Sequence, residues 1–302
     1  MKKVLLSIVF YVTISVAQPT IDGSLDDAQY ITIATKQNSN AGFGSSIDVS
    51  KIVYYPDATN SFLYLGVVGK LNTSSTDAIG IWLNVSGTGS PSGKAAGQPL
   101  GIQSTGGSYI GAGNNASNIN FKADFEVDYM FAFNPGGANT SVYFDAAKHV
   151  SSSVIEYQGS CDQSGTSATN SSAAGAVFSQ NSITFAFNNS GAANKGLELK
   201  IPFSAINATS SNSIEVFAFV ASSTAYFSDV TVPGNVTGGN SAFNVDYGSI
   251  SGGFYHSTPP SLLPVELTSF TANAIGKNVV LKWNTATEVN NAGFEVERKV
   301  SS

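Results

Sequence analysis

FKADFEVDYMFAF, residues 121–133, has the clearest strand pattern in this chain and indicates its fold class. Aromatic and aliphatic side chains occupy every second position in it, and mostly charged side chains lie between them. Because neighbouring side chains of a β-strand point to opposite faces, one face of this strand is apolar. A slip of one residue would put the rings in water, so the register is fixed. The pattern predicts a central core strand with these residues inward: Phe121, Ala123, Phe125, Val127, Tyr129, Phe131 and Phe133.

Strand patterns continue on both sides of that stretch, and residues 20–255 contain no amphipathic helix. Gly-, Asn- and Pro-rich turns separate the runs, which favours antiparallel neighbours. The sequence therefore predicts an all-β fold, an antiparallel β-sandwich of the jelly-roll or immunoglobulin-like type. Two long polar stretches, 86–119 and 158–175, are predicted to be loops. The predicted strands are 52–55, 62–68, 78–85, 121–133, 141–144, 183–187, 197–201 and 214–220.

Residues 1–17 are typical of a secretory signal peptide. Lys2 and Lys3 precede a mostly apolar stretch, 4–16, and the small residues Ser15 and Ala17 frame a cleavage site. The mature chain is therefore predicted to begin at Gln18 and to be secreted. No later stretch is apolar over the roughly 20 residues that cross a bilayer, so no membrane span is predicted after cleavage.

Charge limits the class of partner. Charged residues make up 11% of the chain, and its formal net charge is −6. Arg298 is the only arginine, so residues 18–260 have none. A nucleic-acid surface needs clustered cations to replace phosphate counterions, which excludes nucleic acid as a partner. A neutral polar ligand such as a carbohydrate suits this composition better than an anion.

Two phrases carry a family resemblance. PTIDGSLDDAQY (residues 19–30) resembles the opening of family 9 carbohydrate-binding modules and of DOMON-like sandwiches, and GLELKIPFSAI (residues 196–206) resembles a late segment of the same group. The resemblance covers roughly residues 20–250 and implies, for residues 18–256, a β-sandwich that binds a ligand. Sugar-binding members hold a terminal sugar between two tryptophans, and this domain has one, Trp82. Trp82 is the predicted ligand-binding residue, with tyrosines as substitutes for the second ring.

Acidic residues form two candidate calcium sites. Asp124, Glu126 and Asp128 share the polar face of the predicted central strand, where same-face neighbours lie roughly 7 Å apart. Oxygen ligands from other segments could complete a calcium site there, and a solvent-facing acidic row is the alternative. Asp22, Asp26 and Asp27 surround Gly23, where the alternatives are a structural calcium and an Asp-Gly turn capped by its own side chains.

Other reactive residues give weaker signals. Met130 with His149 or His256 could ligate haem, as in some DOMON domains, but the isolated histidines do not favour it. Cys161, the single cysteine, is predicted to be a passive thiol. No Ser/His/Asp or Cys/His arrangement is recognisable, so an enzyme is not indicated.

The C-terminal part differs from the rest. Residues 257–264 (STPPSLLP) are predicted to be a linker, and residues 265–302 the start of a second β-sandwich. LPVELTSFTA (263–272) and WNTATEVNNAGFEVER (283–298) resemble the fibronectin-type-III-like region before the sorting signal of Bacteroidota-type proteins exported by type IX secretion. Three strands are predicted, at 265–271, 279–283 and 293–298. They are too few for a seven-strand sandwich, so the second domain is expected to be truncated.

The sequence therefore predicts a secreted, cell-surface binding module for carbohydrate or another neutral polar ligand. The alternative is a structural surface-layer or adhesin protein without a small ligand. The secretion machinery is its expected partner during export, and a cell-surface polymer or carbohydrate its partner afterwards.

Overall fold

The structure, a computed structural model, describes residues 17–102, 116–136, 140–234, 236, 243–258, 267–275 and 278–285. It is nearly all β-structure, and its helical elements are short 3₁₀ turns at Ala116–Asn118, Phe203–Ile206 and Tyr247–Ser249. The strands are β1 (Ile31–Thr35), β2 (Asp48–Asp57), β3 (Phe62–Lys70), β4 (Ala78–Ser86), β5 (Tyr129–Pro135), β6 (Ser141–Lys148), β7 (Val154–Asp162), β8 (Ala168–Thr169), β9 (Thr184–Phe187), β10 (Gly196–Pro202), β11 (Ser213–Ala221), β12 (Phe227–Val232), β13 (His256–Ser257), β14 (Leu267–Ile275) and β15 (Asn278–Thr285).

Residues Pro19–Leu262 form one compact unit built from two antiparallel sheets. The first sheet has the strand order β1-β2-β3-β10-β9-β8. The second has the order β12-β11-β4-β5-β6-β7, with β13 paired to β11. This arrangement confirms the predicted all-β class.

Apolar side chains from both sheets fill the space between them. Ile79, Ile81 and Leu83 of β4 belong to the same buried cluster as Leu65 of β3. The ring of Phe185, from the first sheet, lies 5.0 Å from the ring of Phe144, from the second. Alternation along each strand thus gives the sandwich one core, whose burial supplies the main driving force for folding.

A second apolar cluster covers the opposite face of the seven-stranded sheet. Trp82, Met130 and Phe217 point to this outer face, away from the sandwich core. They are covered by side chains from several segments outside the strands, including Leu100, Phe121 and Phe254. From sequence alternation alone, this face would be expected to lie in solvent. The outer cluster, which is this second apolar cluster, therefore depends on segments that fold back over the sheet.

The prediction of one thirteen-residue strand over 121–133 is wrong in its N-terminal half. Strand β5 begins at Tyr129, and Phe121 and Val127 lie in the outer cluster, whereas Phe131 lies in the sandwich core. The alternation breaks at Asp128, where the backbone bends and the Asp128 carboxylate accepts a hydrogen bond from the backbone N–H of Val85. All seven predicted inward residues are buried, but in two different clusters.

Strands β1, β7, β8, β12 and β13 were not predicted. β7 runs through VIEYQGSCD and extends into the stretch 158–175, so the prediction of a loop from residue 158 onward is wrong. Its alternation is disturbed by a bulge opposite Phe144 and Asp145 of β6, which explains why the periodic pattern is weak.

The C-terminal hairpin is a separate unit. Strands β14 and β15 pair from Leu267 to Thr285 and confirm the first two strands predicted for this segment. The third predicted strand, residues 1–16 of the signal peptide and most of the linker lie outside the described residues. Among the residues that are described, no helix has the length and apolarity to cross a membrane.

Candidate functional site

Trp82 is part of the outer cluster and presents no open face. Only 2% of its surface is exposed. Its indole stacks on Phe121 with ring centroids 5.9 Å apart and planes 5° apart, and it lies 4.8 Å from the ring of Phe219. The structure gives Trp82 a packing role. Ligand contact by this residue, as predicted from the sequence, would require the covering segments to move away.

The three acidic residues of the predicted calcium row contact different backbone groups. Asp124 accepts from the N–H of Phe254, Glu126 from that of Gly93, and Asp128 from that of Val85. Asp128 is fully buried, and this burial raises the pKa of its carboxyl to about 6. The three side chains are tethered to separate segments and do not converge on one point.

The acidic set around Gly23 forms a capped turn. Asp22 accepts a hydrogen bond from the N–H of Ser24, Asp26 accepts one from the Ser24 hydroxyl, and Asp27 accepts one from the N–H of Thr20. This is the turn alternative considered for the sequence. Across the described residues, no three His, Cys, Asp or Glu side chains are close enough to hold a metal ion together.

Glu198 joins the two phrases that carry the family resemblance. It is fully buried, and its Oε2 accepts hydrogen bonds from the backbone N–H groups of Asp22 at 2.8 Å and Gly23 at 2.9 Å. The Tyr30 hydroxyl donates to the other carboxylate oxygen. Burial is the main reason that the pKa of Glu198 rises to about 7. The two phrases are therefore one structural unit.

The remaining reactive residues are held by local contacts. Met130 is buried in the outer cluster, His149 contacts the Ser153 hydroxyl through Nδ1 at 2.9 Å, and His256 is exposed on β13. A haem ligated by Met130 would displace the rings that cover it. Burial raises the pKa of the Cys161 thiol to about 12, which keeps it protonated and fits a passive thiol.

An exposed aromatic pair lies on the uncovered end of the same outer face. Tyr143 of β6 is 40% exposed and Tyr157 of β7 is 49% exposed. Their ring centroids are 6.0 Å apart and their planes are nearly perpendicular, at 86°. Exposed tyrosine rings are suited to packing against the apolar faces of a polar ligand.

Asp145 lies beside this pair. It is paired with Ala132 of β5 on one side and Tyr157 of β7 on the other. Its surface is 9% exposed, and burial raises the pKa of its carboxyl to about 7. The aromatic patch is defined here as Tyr143, Asp145 and Tyr157. The sequence did not predict this patch, because Tyr157 lies on an unpredicted strand. The alternation of SVYFDAAK does place Tyr143 and Asp145 on one face.

A second group of rings, Phe43, Tyr226 and Phe243, also reaches the surface. Phe243 is 44% exposed and lies 5.0 Å from the Tyr226 ring. In the turn before Tyr226, the Ser222 and Thr224 hydroxyls hydrogen-bond to each other. This group has no buried acceptor comparable to Asp145 among its named members, so the aromatic patch is the stronger candidate site.

Comparison of the chain with known protein families, with curated proteins and with solved structures gave no match.

Proposed function

We propose that this protein is a secreted, surface-attached binding module for carbohydrate or another neutral polar ligand. The observation that carries the proposal is the aromatic patch: two exposed tyrosine rings meet at a right angle beside a buried carboxylate, on the paired strands β6 and β7. Binding sites commonly combine apolar contact area with a few fixed polar groups. With no arginine in residues 18–260, neutral ligands are favoured over anions.

Sequence features support the export part of the proposal. Residues 1–17 have the charge and apolar pattern of a cleaved signal peptide, and residues 263–298 resemble the region that precedes a type IX sorting signal. We propose a DOMON-like or family 9 carbohydrate-binding-module-like sandwich that passes through this secretion machinery. N-terminal sequencing of protein recovered from the culture medium or cell surface tests this, and a chain that starts at Met1 inside the cell would contradict it.

A polysaccharide and glycan array tests ligand binding directly. We expect the purified protein to retain at least one neutral glycan, and a double variant, Tyr143→Ala with Tyr157→Ala, to lose it. Phe243→Ala is the matched control, because it removes an exposed ring of similar accessibility from a different surface. Absence of binding across the array would contradict the proposal.

A structural calcium ion is a further part of the proposal. Asn84 Oδ1, Asp124 Oδ1 and Asp128 Oδ1 are buried acceptor atoms without hydrogen-bond partners, and a cation would satisfy such oxygens. The side chains would have to approach one another to bind it. Calcium is expected to raise the melting temperature and EDTA to reverse the rise. Identical melting curves would remove calcium from the proposal.

A structural surface-layer or adhesin role is the second candidate. The C-terminal hairpin favours it, because Ile275 and Val279 are each more than 60% exposed there, and Phe270 is 40% exposed. Exposed apolar side chains on a two-stranded hairpin favour association. Analytical ultracentrifugation tests this role: concentration-dependent assembly that Val279→Lys abolishes would support it, and a monomer at all concentrations would contradict it.

A further inference from the structure

The outer face of the seven-stranded sheet changes from covered to open along β6. Ala147, Asp145 and Tyr143 alternate with inward residues and so point to this face. Their exposed fractions increase in that order, from 0% to 9% to 40%. Ala147 belongs to the outer aromatic cluster, whereas Tyr143 lies beyond it. Asp145 therefore marks the boundary at which the covering segments end.

The Asp145 carboxylate has no partner within the described part of the chain. It forms none of the ion pairs or side-chain hydrogen bonds found there, and burial is the one cause of its altered pKa. Its neighbour on β5, Ala132, offers a methyl group and no donor. Asp145 as a residue is only 9% exposed, so few waters reach its carboxylate, and a ligand that supplies donors would be favoured here.

We propose that Asp145 selects the ligand: it accepts hydrogen bonds from two neighbouring hydroxyl groups of a neutral pyranoside whose ring packs against Tyr143 and Tyr157. This inference rests on the proposed function and adds the ligand class. A carboxylate has two oxygens that can accept from adjacent hydroxyls, and such charge-assisted bonds are stronger than neutral ones. Acidic sugars are disfavoured, because a second carboxylate close to Asp145 would repel it, and none of the ion pairs among the described residues involves Asp145.

The test is an NMR titration of the full chain with labelled tyrosine rings. The probes are the methyl glycosides of glucose, galactose and mannose, with glucuronic acid and glucosamine as charged counterparts. At least one neutral glycoside is expected to shift the signals of Tyr143 and Tyr157, and glucuronic acid is expected to leave them unchanged. Asp145→Asn and Asp145→Ala should each weaken binding by about tenfold or more. Phe243→Ala should bind as the wild type does.

The outcomes separate this inference from the proposed function. If a neutral glycoside binds and both Asp145 variants retain its affinity, the role of Asp145 is overturned and carbohydrate binding stands. If glucosamine alone shifts the tyrosine signals, the patch binds a cation and the neutral ligand class is wrong. If neither the array nor the titration detects binding, both proposals fail.

Asp145→Asn removes an unpaired buried charge and keeps the side-chain shape, and its melting curve verifies folding. Tyr157→Ala, at a half-exposed position, provides a second variant.

Discussion

Glu198 Oε2 lies 2.9 Å from the backbone nitrogen of Gly23, although 175 residues separate the two in sequence. The same oxygen accepts from Asp22, and Tyr30 donates to the other oxygen. A strand of the six-stranded sheet therefore holds the N-terminal segment against it through three donors on one buried carboxylate.

Glu198→Ala is expected to destabilise the protein. The methyl group accepts no hydrogen bond, so the N–H groups of Asp22 and Gly23 and the Tyr30 hydroxyl lose their shared partner. The expected loss in unfolding free energy is on the order of 1–3 kcal/mol. Urea denaturation measures it. Tyr30→Phe removes a single donor and should cost less, and equal or larger loss in Tyr30→Phe would contradict the central role of the carboxylate.

Gly23→Ala should be more damaging than substitution at a glycine with open surroundings. Gly23 has φ +69°, and an added Cβ would lie 2.5 Å from the Asn188 nitrogen and 2.8 Å from the Gly196 oxygen, both backbone atoms. We expect a loss of at least about 2 kcal/mol. Gly44→Ala is the matched control: its φ is +98°, with no atom within 4 Å of an added Cβ.

Thermal unfolding of the two alanine variants measures the difference. The control isolates the cost of a positive φ, roughly 1–2 kcal/mol, from the cost of the backbone clash. Equal melting temperatures for Gly23→Ala and Gly44→Ala would show that the N-terminal segment moves aside without penalty.

Stability should fall as pH rises from about 4 to about 7. Burial raises the pKa of Asp128 to about 6 and those of Asp145 and Glu198 to about 7, above their unfolded values. Because the folded state binds these protons more tightly, the contribution of these groups to the free energy of unfolding is complete at pH values below the unfolded pKa. It is lost as the pH rises through the folded pKa. His149 opposes this trend. Its pKa is lowered to about 4, chiefly by burial, so the unfolded state binds its proton more tightly and His149 lowers stability as the pH falls below about 6.5.

Asp128→Asn separates the carboxylate contribution from that of His149. The amide oxygen can still accept from Val85, and the buried charge is gone. In calcium-free buffer at pH 8 we expect the variant to be more stable than the wild type by on the order of 1–3 kcal/mol, with no such gain at pH 4. Urea denaturation at both pH values measures this. A variant that is less stable than the wild type at pH 8 but equally stable at pH 4 would indicate that the Asp128 charge has an unrecognised partner, whereas a loss at both pH values would report the unpaired N–H₂ group of the amide.

Trp82→Ala should lower the stability of the protein without changing the aromatic patch. The indole is fully enclosed by aromatic neighbours, so its removal leaves a cavity that costs about 3–5 kcal/mol. Trp82→Phe fills part of that space and should lose less. Glycan binding measured below the melting temperature of Trp82→Phe should equal that of the wild type. A selective loss of binding in this folded variant would restore Trp82 as a ligand contact.

Local periodicity was enough to place several of the strands. Alternation in 78–85, 197–201 and 214–220 predicts β4, β10 and β11, because the period of two is a property of each strand alone. The same alternation predicts that Trp82 faces away from the aliphatic row of β4, and this is confirmed.

The side chains that cover each sheet face come from segments distant in sequence, and local periodicity did not predict them. Phe121 and Phe131 have the same periodic signal, yet a bend at Asp128 sends them to different clusters. Trp82 is enclosed by segments distant in sequence, and Tyr143, Asp145 and Tyr157 meet through pairing of β6 with an irregular β7. Glu198 meets Gly23 across 175 residues. Such contacts depend on strand pairing and chain crossing between distant segments, and a local period carries no information about either.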